Sequence, residues 1–159
     1  MKANLMIGEQ MTLNKASFSI LLLASSFCFT TFALAHSGAT GIVKERMDLF
    51  KRNKDNLKAI KAHIRDGDVD AILPLADEIR DWAARMPDYF PAGSDQKPSE
   101  AAPAIWSNFD GFKQAAEDNQ RAAEMLVVAA KSEDMDAVMR GFKAVAATCK
   151  SCHNAFKLD

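Results

Sequence analysis

Cysteine is nearly absent from this chain, and neither sign of charge is in excess. Three cysteines occur in 159 residues, Cys28, Cys149 and Cys152. Cys28 lies in an N-terminal stretch expected to be removed, so no thiol is left over for a structural disulfide. The lack of a second Cys or His pair excludes a four-ligand zinc site. Against 21 Asp and Glu stand 20 Lys and Arg, a net charge of −1. That balance argues against nucleic acid as a partner and supplies no strong steering field. Convincing strand patterns are missing too, and four of the five prolines are confined to Pro87–Pro103. The rest of the chain is free to form long helices.

One dense feature stands out against this background, the run Cys149-Lys150-Ser151-Cys152-His153. C-x-x-C-H is the attachment pattern of a c-type haem, in which two thiols add to the porphyrin vinyl groups and the adjoining imidazole binds the iron. On a helix, Cys149 lies three residues before Cys152 and four before His153, so the three side chains project from one face about one turn apart. A thioredoxin-like redox disulfide is the competing reading, but it wants a βαβ context and an N-terminal placement. One complete site implies one covalent haem c, with Cys149 and Cys152 as attachment points and His153 as axial iron ligand.

Residues 1–35 read as a secretory signal peptide. Lys15 supplies the positive charge, Phe18 to Phe29 the apolar core, and Ala33-Leu34-Ala35 an A-x-A cleavage site. Met11 is an alternative start. Ser25, Ser26, Thr30 and Thr31 interrupt the apolar run, which favours a cleaved leader over a permanent membrane anchor. Export and C-x-x-C-H support one another, because covalent haem attachment takes place outside the cytoplasm; in a bacterium the destination is the periplasm. The mature chain, 36–159, loses Lys2, Lys15 and Glu9 with the leader, and is long enough for a single domain with one core. After cleavage no membrane association is expected.

Apolar periodicity predicts four helices. The first runs from about Gly41 to Arg65 on Ile42, Val43, Met47, Phe50, Leu57, Ile60 and Ile64, and stops at Gly67. A second covers Val69 to Met86, with Pro74 in its first turn, where a missing N–H costs little. The proline-rich stretch 87–103 is a loop. A third helix is expected from Ala104 to Lys131, and a fourth begins after Ser132 or Asp134 and buries Met135, Val138, Met139, Phe142, Val145, Ala146, Cys149, His153 and Phe156. The fold class is all-α: an antiparallel up-down-up-down four-helix bundle with the haem on its C-terminal helix.

Three segments carry a resemblance. Cys149-Lys-Ser-Cys-His-Asn-Ala-Phe-Lys157 on the last helix, Val43-Lys-Glu-Arg46-Met47-Asp-Leu-Phe50 on the first, and Pro103-Ala-Ile-Trp106 opening the third together resemble cytochrome c′ and its low-spin relatives of the cytochrome c-556 group, over essentially the whole mature chain. The resemblance implies that His153 is the proximal ligand and that the first helix supplies the distal side. Arg46 matches a basic residue near a haem propionate, Met47 would touch the macrocycle edge, and Glu100, Ala101 and Trp106 border the haem. Ala102 stands where many relatives carry a basic residue, and Lys157 where many carry Arg. The distal position, four residues after Arg46, is occupied by an apolar cap or a methionine ligand in relatives; here it is Phe50, which cannot bind iron. A hydrophobically capped, five-coordinate iron is the favoured reading, with Met47 as sixth ligand the alternative and ordinary core packing the plain fate of that methionine.

The function expected from these residues is that of a periplasmic c-type cytochrome that transfers single electrons or binds small gases such as NO or CO. A Met47-ligated pure electron carrier is the alternative, and a thiol-disulfide redox protein a more distant one. Enzymatic activity is not expected, since the apolar stripe of the first helix offers no distal acid–base residue. Partners are redox proteins of the periplasm; many relatives pair through the first two helices, although charged outward faces here also allow a monomer. His36, at the expected mature N-terminus, lacks a second histidine for copper chelation. His63 and the run Lys51-Arg52-Asn53-Lys54-Asp55 read as solvated surface, the run also being able to dock an acidic redox partner.

Overall fold

The computed structural model describes residues 38–158. The expected leader and its cleavage site, with Cys28 and His36, lie outside the described residues. Helix α1 spans Gly41–Asp66, α2 Ile72–Arg85, α3 the single turn Ala104–Ser107, α4 Phe109–Lys131 and α5 Met135–Phe156, with a 3-10 turn, Met86–Tyr89, after α2. The four long helices pack in a ring, α1 on α2, α2 on α4, α4 on α5 and α5 on α1, and this is a four-helix bundle. Among the described residues the one strand-like feature is an isolated antiparallel bridge between Ala101 and Lys157.

Local chemistry sets most boundaries. Gly67 ends α1 in the left-handed region, φ 74°, and Asp68 N donates to His63 O at 3.0 Å, the αL closure that glycine adopts without a Cβ penalty. Pro74 is the third residue of α2, where no intrahelical N–H is owed. Asp134 caps α5 by accepting from Ala137 N at 3.0 Å. The expected continuous helix from Ala104 to Lys131 is corrected: the chain breaks at Asn108, φ −135° and ψ 57°, whose Oδ1 accepts from Gly111 N at 3.2 Å. An asparagine side chain competes with the helical backbone and starts a fresh helix as its cap.

The core has two parts. Ile60, Ile72, Ile79, Leu126, Val127, Val138 and Val145 make an aliphatic cluster. Trp82, Met86, Phe90, Ile105, Phe112 and Phe156 make an aromatic one where the end of α2, the start of α4 and the end of α5 meet. The inward stripe expected for α5 also needs correction. Val138, Gly141, Val145 and Phe156 are buried, whereas Met139 is 36% exposed and Ala146 and His153 face outward. Each stands one residue past an inward position and is turned from it by about 100°. Polar residues enter the interior of α1 that an apolar count passes over: Arg46, Asn53 and Asn56 are buried.

Candidate functional site

The last two turns of α5 carry Cys149, Cys152 and His153. Both thiols are free and half-buried, and they straddle the seam of the core: Cys149 packs on the aliphatic cluster and Cys152 on the aromatic one. Cys149 Sγ lies 3.7 Å from Asn119 Nδ2, which also donates to Thr148 Oγ1 at 2.9 Å. Burial pushes both thiols up, Cys152 to about 11, with the neighbouring Cys149 adding to the rise; for Cys149 the Asn119 hydrogen bond works in the opposite direction. Redox-active C-x-x-C pairs depend on a depressed thiol pKa, the opposite of the direction in which burial moves these two thiols. His153 is largely exposed, and partial desolvation of the ring together with the charge of Lys157 lowers its pKa, with Glu100 opposing. A neutral imidazole is the form that binds metal.

On α1, Arg46 is only 2% exposed. Its Nη1 donates to Tyr89 O at 3.1 Å and to Ser94 Oγ at 2.7 Å, and its Nη2 to Ser94 O and, at 2.6 Å, to Ser99 Oγ. The guanidinium carbon sits 4.4 Å from the centre of the Phe90 ring. Every acceptor is neutral; burial lowers the guanidinium pKa, while the charge of Asp95 works against that shift. The four hydrogen bonds, the Phe90 face and the charge of Asp95 offset part of the cost of burying this cation.

Phe50, one turn further on, packs edge-on to Trp82 at 5.1 Å between ring centroids and to Phe90 at 6.3 Å. It belongs to the aromatic cluster. Met47 is half-buried and packs against neither cluster. The 87–103 loop closes the same end of the bundle. Ala101 and Ala102 are buried, Ala102 N donates to Phe156 O at 3.0 Å and Leu158 N to Glu100 O at 2.8 Å. The exposed Glu100 carboxylate pairs with Lys157 at 2.9 Å. Trp106 Nε1 donates to Phe90 O and Pro91 O, at 3.1 and 3.0 Å. Elsewhere His63 Nδ1 is 3.4 Å from Asp68 Oδ2, and Lys51 pairs with Asp55 at 2.9 Å on an exposed helix face.

Of the residues expected from the sequence, Phe50, Ala101, Trp106 and Cys152 belong to the aromatic cluster, Cys149 packs on the aliphatic one, and Arg46 joins the aromatic end through Phe90. Ser94, Ser99, Asn119 and Trp82 complete that end. No spacing rule marks the two serines, and the only hint of Asn119 was a polar residue on an otherwise apolar helix face. The donor set suits the haem that C-x-x-C-H implies: two thiols facing the core seam, an outward imidazole beside them, an aromatic lining, and a buried guanidinium whose hydrogen-bond acceptors are all neutral.

Comparison with known proteins agrees with this geometry. The family profile described as cytochrome C′ matches residues 41–157. Cytochrome c′ of Rhodospirillum rubrum is 31% identical over 147 residues, covering 88% of this chain and 98% of that protein. Cytochrome c-556 of Agrobacterium fabrum is 34% identical over 123 residues, covering 76% and 83%. Among solved structures, a nitric oxide complex of a cytochrome c prime mutant from Alcaligenes xylosoxidans superposes with a TM-score of 0.67 at 25% identity, covering 74% of this chain and 94% of that one. With fold, attachment motif and family match in agreement, the chain belongs to the cytochrome c′ family, whose members carry one covalently bound haem c.

Proposed function

We propose that this protein is a periplasmic cytochrome that moves single electrons and binds small gases, NO or CO, at an iron whose distal side is capped by Phe50, and that it has no enzymatic activity. When bound, haem c would supply an iron that changes between ferric and ferrous states and can take a small gas as ligand. The observation that carries the reading is the packing of Phe50 into the aromatic cluster against Trp82 and Phe90, while Met47 belongs to neither cluster. A phenyl ring cannot coordinate iron, and the rings it packs on, Trp82 and Phe90, carry no general acid or base. Water and larger anions are disfavoured by desolvation in such a lining. Arg46 would hold a haem propionate through a charge-assisted hydrogen bond. The nitric oxide complex of the Alcaligenes relative supports the choice of gas. Export to the periplasm rests on the leader reading, and among the described residues no helix is long and apolar enough to cross a membrane.

A second reading, from the resemblance to the low-spin cytochrome c-556 group, is a closed electron carrier with Met47 as sixth ligand. Spectra of the ferrous protein separate the two. Under the Phe50 reading it is high-spin and binds CO slowly, Phe50→Ala speeds that binding, and Met47→Leu leaves the spectrum nearly unchanged. A low-spin ferrous protein that turns high-spin in Met47→Leu would establish the closed carrier instead.

A further inference from the structure

Near Phe50, which packs on the Trp82 ring, two buried polar atoms lack a partner among the described residues: Asn53 Oδ1 on α1 and Trp82 Nε1 on α2. Asn53 is 8% exposed and Trp82 3%. One is an acceptor and the other a donor, and leaving either unmade in a protein interior is costly. Both residues line one cavity of about 120 Å³ between α1 and α2. Its remaining polar lining is balanced in charge, Arg52 and Arg85 against Glu78 and Asp81. Glu78 Oε2 already accepts from Asn56 Nδ2 at 2.9 Å, and Asp81 Oδ1 from Arg80. No net field therefore selects an anion or a cation, and the orphan pair asks for a molecule that accepts at one end and donates at the other. The volume suits a few waters, each of which takes about 30 Å³ in the liquid.

We propose that the α1–α2 cavity is a binding site for a small neutral hydrogen-bonding molecule, water in the resting protein, which accepts from Trp82 Nε1, donates to Asn53 Oδ1, and so holds the indole in place behind Phe50. The indole edge contact with Phe50 is what the bridge would brace, since the centroids are 5.1 Å apart and the rings nearly perpendicular at 89°. A water tied at both ends fixes the indole plane, and a fixed indole leaves the phenyl ring less room to turn.

The effect on the cap rests on the gas-binding reading above; the bridge itself does not. A high-resolution crystal structure of the holoprotein should contain an ordered water within hydrogen-bond distance of both atoms. A dry cavity, or an anion in it, overturns the proposal. The second measurement is CO association with Asn53→Leu, which removes the acceptor, keeps the volume and leaves Trp82 intact. Binding should quicken several-fold, and the same substitution in a Phe50→Ala background should add nothing. An unchanged rate in Asn53→Leu, where Phe50→Ala alone does speed binding, overturns the bracing role. Failure of Phe50→Ala itself to alter the rate would count against the gas-binding reading, and the electron density would still decide the bridge.

Discussion

Arg46 is the residue on which the closed end of the bundle depends most. Its four hydrogen bonds tie α1 to Tyr89, Ser94 and Ser99, so Arg46→Ala orphans several buried acceptors at once. The expected loss is on the order of 3 kcal/mol of folding stability, read as a lower denaturation midpoint at unchanged slope. Arg46→Lys should recover little of it, because a single ammonium cannot span positions that a planar fork reaches. His153 behaves differently: it is exposed and holds no part of the core. His153→Ala should retain the thioether-linked porphyrin yet lose the native iron spectrum, since the thioethers hold the ring and the imidazole sets the ligand field. The roles of Cys149, Cys152 and His153 were legible as letters, because a covalent motif is local. The loop partners of Arg46 were not, since nothing in the spacing of Ser94 and Ser99 points to a side chain more than forty residues earlier.

At the level of elements, apolar periodicity located all four long helices because each buries one face. It overran at Asn108, where a side-chain cap outweighs the continuation of the pattern. Asn108→Ala should cost about 1 kcal/mol through loss of the bond from Gly111 N, seen as a modest fall in melting temperature. Close approach of α4 and α5 is a second property of elements. A Cβ at Gly141 would lie 2.9 Å from Leu126 Cα, a backbone atom. Gly141→Ala should therefore push the two helices apart and destabilise the protein by about 1–3 kcal/mol in chemical denaturation, although alanine is the better helix former in isolation.

Across the whole molecule, the 87–103 loop is fastened at one side by Arg46 and at the other by the chain's last residues, through the Ala101–Lys157 bridge, the Glu100–Lys157 ion pair and the Leu158 N bond to Glu100 O. Deleting residues 157–159 should free that side, and limited proteolysis should then cut within 91–100 much faster than in the full chain. The sequence by itself determined the helical class and the attachment of one haem, because amphipathic period and C-x-x-C-H are short-range patterns that survive reading one residue at a time. Only the tertiary structure decided that the two thiols straddle the seam between the clusters, that Arg46 is buried among neutral loop acceptors, and that Phe50 rather than Met47 joins the aromatic cluster. Those outcomes depend on which neighbouring helix and loop cover each face, and burial of this kind is a property of the assembled bundle, absent from any one strip of sequence.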